Sequence, residues 1–394
     1  MAFKELGTEL RKNIRDYGMY IALLIIFIIF SITTHGIFIS LRNISNLMNQ
    51  TGYIAVIAVG MTLIIVIRHI DLSVGFLSGF LGAISAIAMV SWHLPVFVVI
   101  PMVLFFGLIA GLITAYPVAK LGIPAFVSSL AGWLIYRGAL LLATLKSGTI
   151  IIPNKAFNAI GNGYIPDIFA SDKFLPHTHK LTLFLGLLFI VFMIYSSIKA
   201  RKSKQNYNFE IISLDIFILK QVFVSILIAV VTWIMAGYNG LSWTLIIVVV
   251  VVAVYHFVTT KTVIGRHIYA VGGNPQAAEL SGINVKKITF IVFGSMGMLA
   301  ALSGILYASR LQSATTTAGT LLELDGIASA FIGGAAVAGG VGSIVGSLLG
   351  AIVYTSLTSG MNLMGIDISM QYIVRGAVLA GAVIYDVTTS KIKK

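Results

Sequence analysis

Apolar runs about twenty residues long, parted by short polar breaks, recur along the chain from Ile21 to Ile384. A helix of that length covers about 30 Å, the hydrocarbon thickness of a bilayer. The runs do not show the alternating ten-residue pattern of an outer-membrane barrel, so the pattern predicts membrane-spanning helices. The expected fold is all-α: a polytopic helical membrane protein of about 10–12 transmembrane helices. Candidate cores lie at 17–35, 45–67, 72–91, 95–117, 124–145, 180–198, 217–236, 241–259, 287–309, 326–340, 342–360 and 369–386. The run at 326–340 is the shortest, and it reads equally as a half-span or a re-entrant hairpin.

Composition narrows the class. The chain is 58% hydrophobic and only 10% charged, against roughly a quarter charged in soluble domains. It contains no cysteine, which excludes disulfides, thiol chemistry and cysteine-based metal sites. The net charge of +13 is spread between the spans rather than clustered on one domain, so it argues for topology and against nucleic-acid binding. With the first span running outward, eighteen Lys and Arg residues fall inside and six outside, leaving Arg137 and Arg375 within spans. That excess predicts both termini inside. The basic start, residues 1–16, has no small-residue cleavage site after a short apolar core and is expected to be a retained cytoplasmic tail.

The whole chain, 1–394, then reads as a single transmembrane domain with three notable loops. Residues 146–179 are expected outside, as an ordered cap, and 199–216 inside, with its basic run serving as an anchor. Residues 261–287 are expected inside and carry a helix signal. Asn274 suits an N-cap, Pro275 the first helical position, and Gly282 a left-handed C-terminal stop. So short a helix cannot stand alone.

Few polar residues suggest chemistry. Arg68, Asp71 and Ser73 sit between the second and third spans, as helix caps or as a gate, with Arg68 available to pair with Asp71. Asn43, Asn46 and Gln50 share a helical face and carry amides suited to hydroxyl groups; an interfacial helix start accounts for them equally. Gln371 and Arg375 are four residues apart, with Asn362, Glu323 and Asp325 expected on the same side, so that one acid neutralises Arg375. Gly339 and Gly340 are expected to break the apolar run, while Gly342, Gly346 and Gly350 form a strip for close helix packing. The chain has no Gly-Lys dipeptide and therefore no Walker loop. His177 and His179 with Asp172 make weak support for a metal site, and no catalytic constellation is present.

The stretch Gly265–Ile283, together with IDLSVG at 70–75 and the glycine-rich run at 332–351, resembles the permease subunits of bacterial ATP-binding-cassette importers for monosaccharides, of the ribose, galactose and xylose type. The motifs stand in the family's order and reach across nearly the whole chain. The basic loop at 199–216, with an added pair of spans, is most similar in layout to the D-xylose branch. The resemblance implies a non-catalytic subunit of the bacterial inner membrane. A second permease copy would complete the pathway as a homodimer. A cytoplasmic ATPase would hold ATP and Mg, this chain would bind no cofactor, and an extracytoplasmic sugar-binding protein would dock outside. It further implies that 261–287 holds a coupling helix, with Gly265, Arg266, Tyr269, Gly272, Asn274, Pro275, Ala277, Ala278, Glu279, Ser281 and Gly282 as the ATPase-facing segment. The competing readings are an ion-coupled secondary sugar transporter, which would import sugar unaided, and an integral membrane enzyme.

Overall fold

The computed structural model describes residues 14–169, 175, 178–207 and 213–392. Most of the basic N-terminal tail, His177 with Asp172, and the last two lysines lie outside the described residues. The chain divides into two compact units. One holds Met1–Gly18, Ile39–Asn46 and Tyr164–Ser242; the other holds Met19–Phe38, Leu47–Gly163 and Trp243–Lys394. The helices are α1 Ile14–Thr33, α2 Leu41–Val66, α3 Val74–Val90, α4 Val96–Leu121, α5 Ala125–Thr144, α6 Lys155–Asn162, α7 Lys180–Asn206 and α8 Leu214–Ala236. They continue with α9 Trp243–Lys261, α10 Val263–Gly273, α11 Pro275–Leu280, α12 Val285–Leu311, α13 Leu322–Ile332, α14 Ile344–Leu363 and α15 Ile368–Ile392. Among the described residues nine helices are long and apolar enough to cross a membrane.

In the smaller unit α7 and α8 form an antiparallel hairpin. A side chain at Gly186 would meet Thr232 at 2.3 Å, so the helices cross at backbone distance there. Their apolar windows are 6% and 0% buried, leaving faces that suit hydrocarbon. The basic run at 199–204 continues α7 instead of leaving it as a loop, because Lys, Arg and Gln are good helix formers. His179 caps α7: its Nδ1 accepts from the Thr182 amide at 3.3 Å while its Nε2 lies 2.8 Å from the Ile165 carbonyl. Both ring nitrogens are thereby engaged, which removes His179 from the metal reading.

In the larger unit α2, α12 and α14 are the most buried spans. Small residues set the crossings. A Cβ on Gly107 or Gly111 of α4 would lie 2.4 Å from the Gly297 carbonyl oxygen or 2.1 Å from that of Phe293, both on α12. Between helices in lipid, such close van der Waals contact replaces the hydrophobic drive. Segment 149–163 is a short strand and helix fastened to the end of α12. Thr149–Ile151 (β1) pairs antiparallel with Ser313–Thr315 (β2), and the Asn162 amide donates to Ser309 and Arg310 carbonyls at 2.8 and 3.1 Å.

Two helices stop short. With 11 residues, α13 is about 16 Å long, half the bilayer core; the run at 326–340 is thus a half-helix. The segment before α3 is non-helical from His69 to Ser73. The two starts meet: a Cβ on Gly75 would lie 1.8 Å from Glu323 Oε2 and 2.7 Å from the Gly319 carbonyl oxygen. Ser78, one turn further on, lies against Gly304 of α12, about 10 Å from the end of that helix. The junction is therefore deep in the bundle, where irregular backbone persists only when enclosed by protein or water.

Candidate functional site

The stretch 261–287 folds as two helices where the sequence signals one. Thr262 caps α10, its hydroxyl accepting from the Gly265 amide at 3.2 Å. Asn274 caps α11, accepting from the Ala277 amide at 3.0 Å, with Pro275 in the first turn. Gly282 turns left-handed at φ +82 behind it, the Ile283 amide reaches back to the Ala278 carbonyl at 3.0 Å, and Asn284 caps α12. Its glycines hide α10 in the sequence, yet they are what seats it. A Cβ on Gly265 would lie 2.4 Å from the Val258 and Thr259 carbonyl oxygens, and one on Gly272 would lie 1.9 Å from the Val66 carbonyl oxygen.

That last contact is a clamp. Arg68 donates from Nε to the Gly272 carbonyl at 2.6 Å and from Nη2 to the Gly273 carbonyl. The expected Arg68–Asp71 pair does not form: the carbonyls at the end of α10 take the guanidinium, as a helix C-terminus favours a cation. Asp71, 2% exposed, instead accepts from the Ser73 amide at 2.9 Å and hydroxyl at 2.6 Å, fixing the entry to α3. From the other side, the Gly340 amide donates to the Val66 carbonyl at 2.8 Å and the Tyr269 hydroxyl to the Gly342 carbonyl at 2.7 Å. Gly339 and Gly340 are left-handed, at φ +78 and +72, and lie against Arg68 and Gly273. Gly339 and Gly340 thus bring a loop onto α10, and Gly342, ahead of α14, packs against Thr62 and Val66 of α2. Within α14 itself, Gly346 and Gly350 pack against Gly333 and Ser329 of the α13 end.

The outward face of α11 also differs from expectation. Ala278 is 5% exposed and packs inward, so it is no part of a presented surface. Leu280, missed in the sequence, is 91% exposed at the tip. Its signal was a large apolar side chain set between the polar Glu279 and Ser281 at the end of the capped helix. Arg266, Asn274, Ala277, Glu279, Ser281 and Gly282 are exposed, and Pro275 is partly so. Glu279 also lines a cavity of about 610 Å³ with Arg68, His69 and Lys286.

The remaining polar candidates separate. Asn46 is partly buried on α2, and Gln50 bonds to Tyr53 on the same helix. Gln371 donates to Asn362 Oδ1 at 2.8 Å and to the Ile366 carbonyl at 2.9 Å, closing the turn between α14 and α15. Asp325 is the acid that faces Arg375, at 4.0 Å, and it also accepts from the Tyr354 hydroxyl at 2.6 Å. Glu323 instead accepts from Trp133 Nε1 at 3.0 Å. Asp71, Glu323 and Asp386 are buried and Asp325 nearly so, more enclosed carboxyl groups than the sparse charge suggests.

Spanning helices, the starts of α3 and α13 meeting within the bundle, and the clamped pair α10 and α11 define a multi-pass membrane protein. Residues 43–383 match the family described as the permease component of the branched-chain amino acid transport system, and the chain belongs to that family. It is 37% identical to the xylose transport system permease protein of Haemophilus influenzae, over 96% of this chain and 98% of that protein. It is 35% identical to the Escherichia coli protein of the same description, over 96% and 93%. It is also 35% identical to the ribose import permease protein of Haemophilus influenzae, over 96% and 95%. No solved structure matches the chain significantly. The protein is a multi-pass permease of the inner membrane.

Proposed function

We propose that this chain is the pathway subunit of an ATP-binding-cassette importer. It passes a monosaccharide, D-xylose, from an extracytoplasmic binding protein to the cytoplasm. A partner ATPase holding ATP and Mg²⁺ drives the cycle, this chain binds no cofactor of its own, and a second copy of the chain completes the pathway. The choice of xylose is supported by the relatives of that description, which align over almost their full length.

The observation that carries the reading is α11, with Leu280 exposed at its tip on a segment capped at Asn274 and Asn284. A lone six-residue helix is not stable, so its exposed apolar residue serves a partner rather than this chain's own core. The α10 clamp then carries displacement inward. Arg68 leads through Asp71 and Ser73 into α3, and Gly340 leads back through the glycine loop into α13. Force applied to one handle reaches the start of α3 and the end of the half-helix α13, whose start packs back against α3.

The test is co-purification and sugar-stimulated ATP turnover with the ATPase and binding protein. The wild-type chain is expected to hold the ATPase and raise its turnover when sugar-loaded binding protein is present. Leu280→Asp is expected to lose both while remaining folded in the membrane. Normal ATPase capture and stimulation in that variant would refute the assignment of α11.

A further inference from the structure

A second cavity, of about 210 Å³, lies between α13, α14 and α15. Asp325, Tyr354, Tyr372 and Arg375 line it, and Gly376 forms part of its wall. The Tyr354 hydroxyl takes one Asp325 oxygen at 2.6 Å. The Arg375 guanidinium stands 4.0 Å from that same oxygen, beyond the roughly 2.7–2.9 Å of a closed charge-assisted bond. Its Cζ lies over the Tyr354 ring, 5.8 Å from the centroid. The side chains of Arg375 and Asp325 remain 21% and 14% exposed, and Tyr372 is 47% exposed.

A pair of charges left open within a membrane span is costly against lipid and faces protein or a wet path. The pair sums to zero, so it favours a neutral ligand over an ion. Carboxylate, guanidinium and phenol together present acceptors and donors within one ligand's reach, the requirement of adjacent hydroxyl groups. The half-exposed Tyr372 ring offers a flat apolar surface for the C–H face of a sugar. At about 30 Å³ per water, the space equals about seven waters, which suits one monosaccharide ring.

We propose that this cavity is a hydroxyl-binding subsite for a single monosaccharide in transit, held by Asp325, Arg375 and Tyr354 against Tyr372. The proposal rests on the sugar-permease reading above.

The chain's lack of cysteine makes the test direct. A Cβ added at Gly376 meets nothing within 4 Å, so Gly376→Cys places a lone thiol in the cavity wall. The full transporter, with ATPase and binding protein, is reconstituted in vesicles and treated with a small methanethiosulfonate reagent. D-xylose at high millimolar concentration is expected to slow labelling several-fold, sucrose and sodium chloride to have no effect, and Arg375→Gln in the same background to abolish the protection. Labelling unaffected by any monosaccharide overturns the subsite. So does a thiol that never labels, as packing against a second copy would give. Uptake of labelled D-xylose by the unsubstituted transporter is measured alongside: if it persists, only the subsite has failed, and if no monosaccharide is taken up, the sugar reading has failed first.

Discussion

On the proposed reading, Leu280, 91% exposed, is the side chain of α11 that a partner ATPase would bury. Burying a leucine is worth about 1.5–3 kcal/mol, and about 1.4 kcal/mol is tenfold in affinity. Leu280→Ser is therefore expected to weaken ATPase capture at least tenfold. It should leave the chain's own thermal stability within about 0.5 kcal/mol, because the residue touches little of its own fold. Ala278→Arg is expected to behave differently, lowering the thermal midpoint as well as ATPase capture, since the buried Ala278 has no room for a charge. Thermal melts of the two purified variants separate presentation from seating.

Asp167 carries a pH dependence at the same scale. Partial burial pushes its carboxyl up, but the amides of Phe169, Lys180 and Leu181, with His179 nearby, outweigh that and hold it below the ordinary 3.8. A depressed carboxyl stabilises the fold above its ordinary value, and that contribution is lost as pH falls through the folded one. Protection of the first-turn amides of α7 against hydrogen exchange, corrected for intrinsic rate, is expected to fall as pH drops below 3.8. Asp167→Asn should be weakly protected at every pH, and an unchanged pH profile in that variant would sink the assignment.

At the scale of elements, glycines decide how helices meet. Gly272→Ala would press a methyl to 1.9 Å from the Val66 carbonyl oxygen and part α10 from α2. Overpacking of this kind costs about 1–3 kcal/mol. The variant is expected to insert with a lowered melting temperature and to lose coupling between ATP turnover and sugar uptake. Full coupling would mean the clamp is not the route of force. The long spans were legible because a twenty-residue apolar run admits little else in a bilayer. The caps of α11 were legible because Asn274, Pro275 and Gly282 each act locally. What stayed hidden depends on contacts distant in sequence. Glycines count against a helix in sequence, so α10 was missed; the approach of Gly272 to Val66 and Gly340, and of Gly265 to the end of α9, shows why they stand there. Arg68 reads as the partner of nearby Asp71, while its true acceptors lie some two hundred residues on. Likewise the glycine strip reads as one helix face, but Gly342 precedes α14 and belongs to the loop.

For the whole molecule, the half-helix α13 and the broken entry to α3 matter more than the span count. The entries to α3 and α13 meet beside α12, and the α3 entry and the α13 exit both lead back to the α10 clamp. On the proposed reading, motion enters at α11 and no coupling ion is needed, even though the chain buries Asp71 and Glu323 and holds Asp325 against Arg375. The direct comparison is uptake of labelled D-xylose into vesicles holding this chain alone or with its ATPase and binding protein. Accumulation is expected only with all components and ATP, and it should be indifferent to an ionophore. Accumulation by the chain alone, collapsed by an ionophore, would contradict the account and establish an ion-coupled carrier instead.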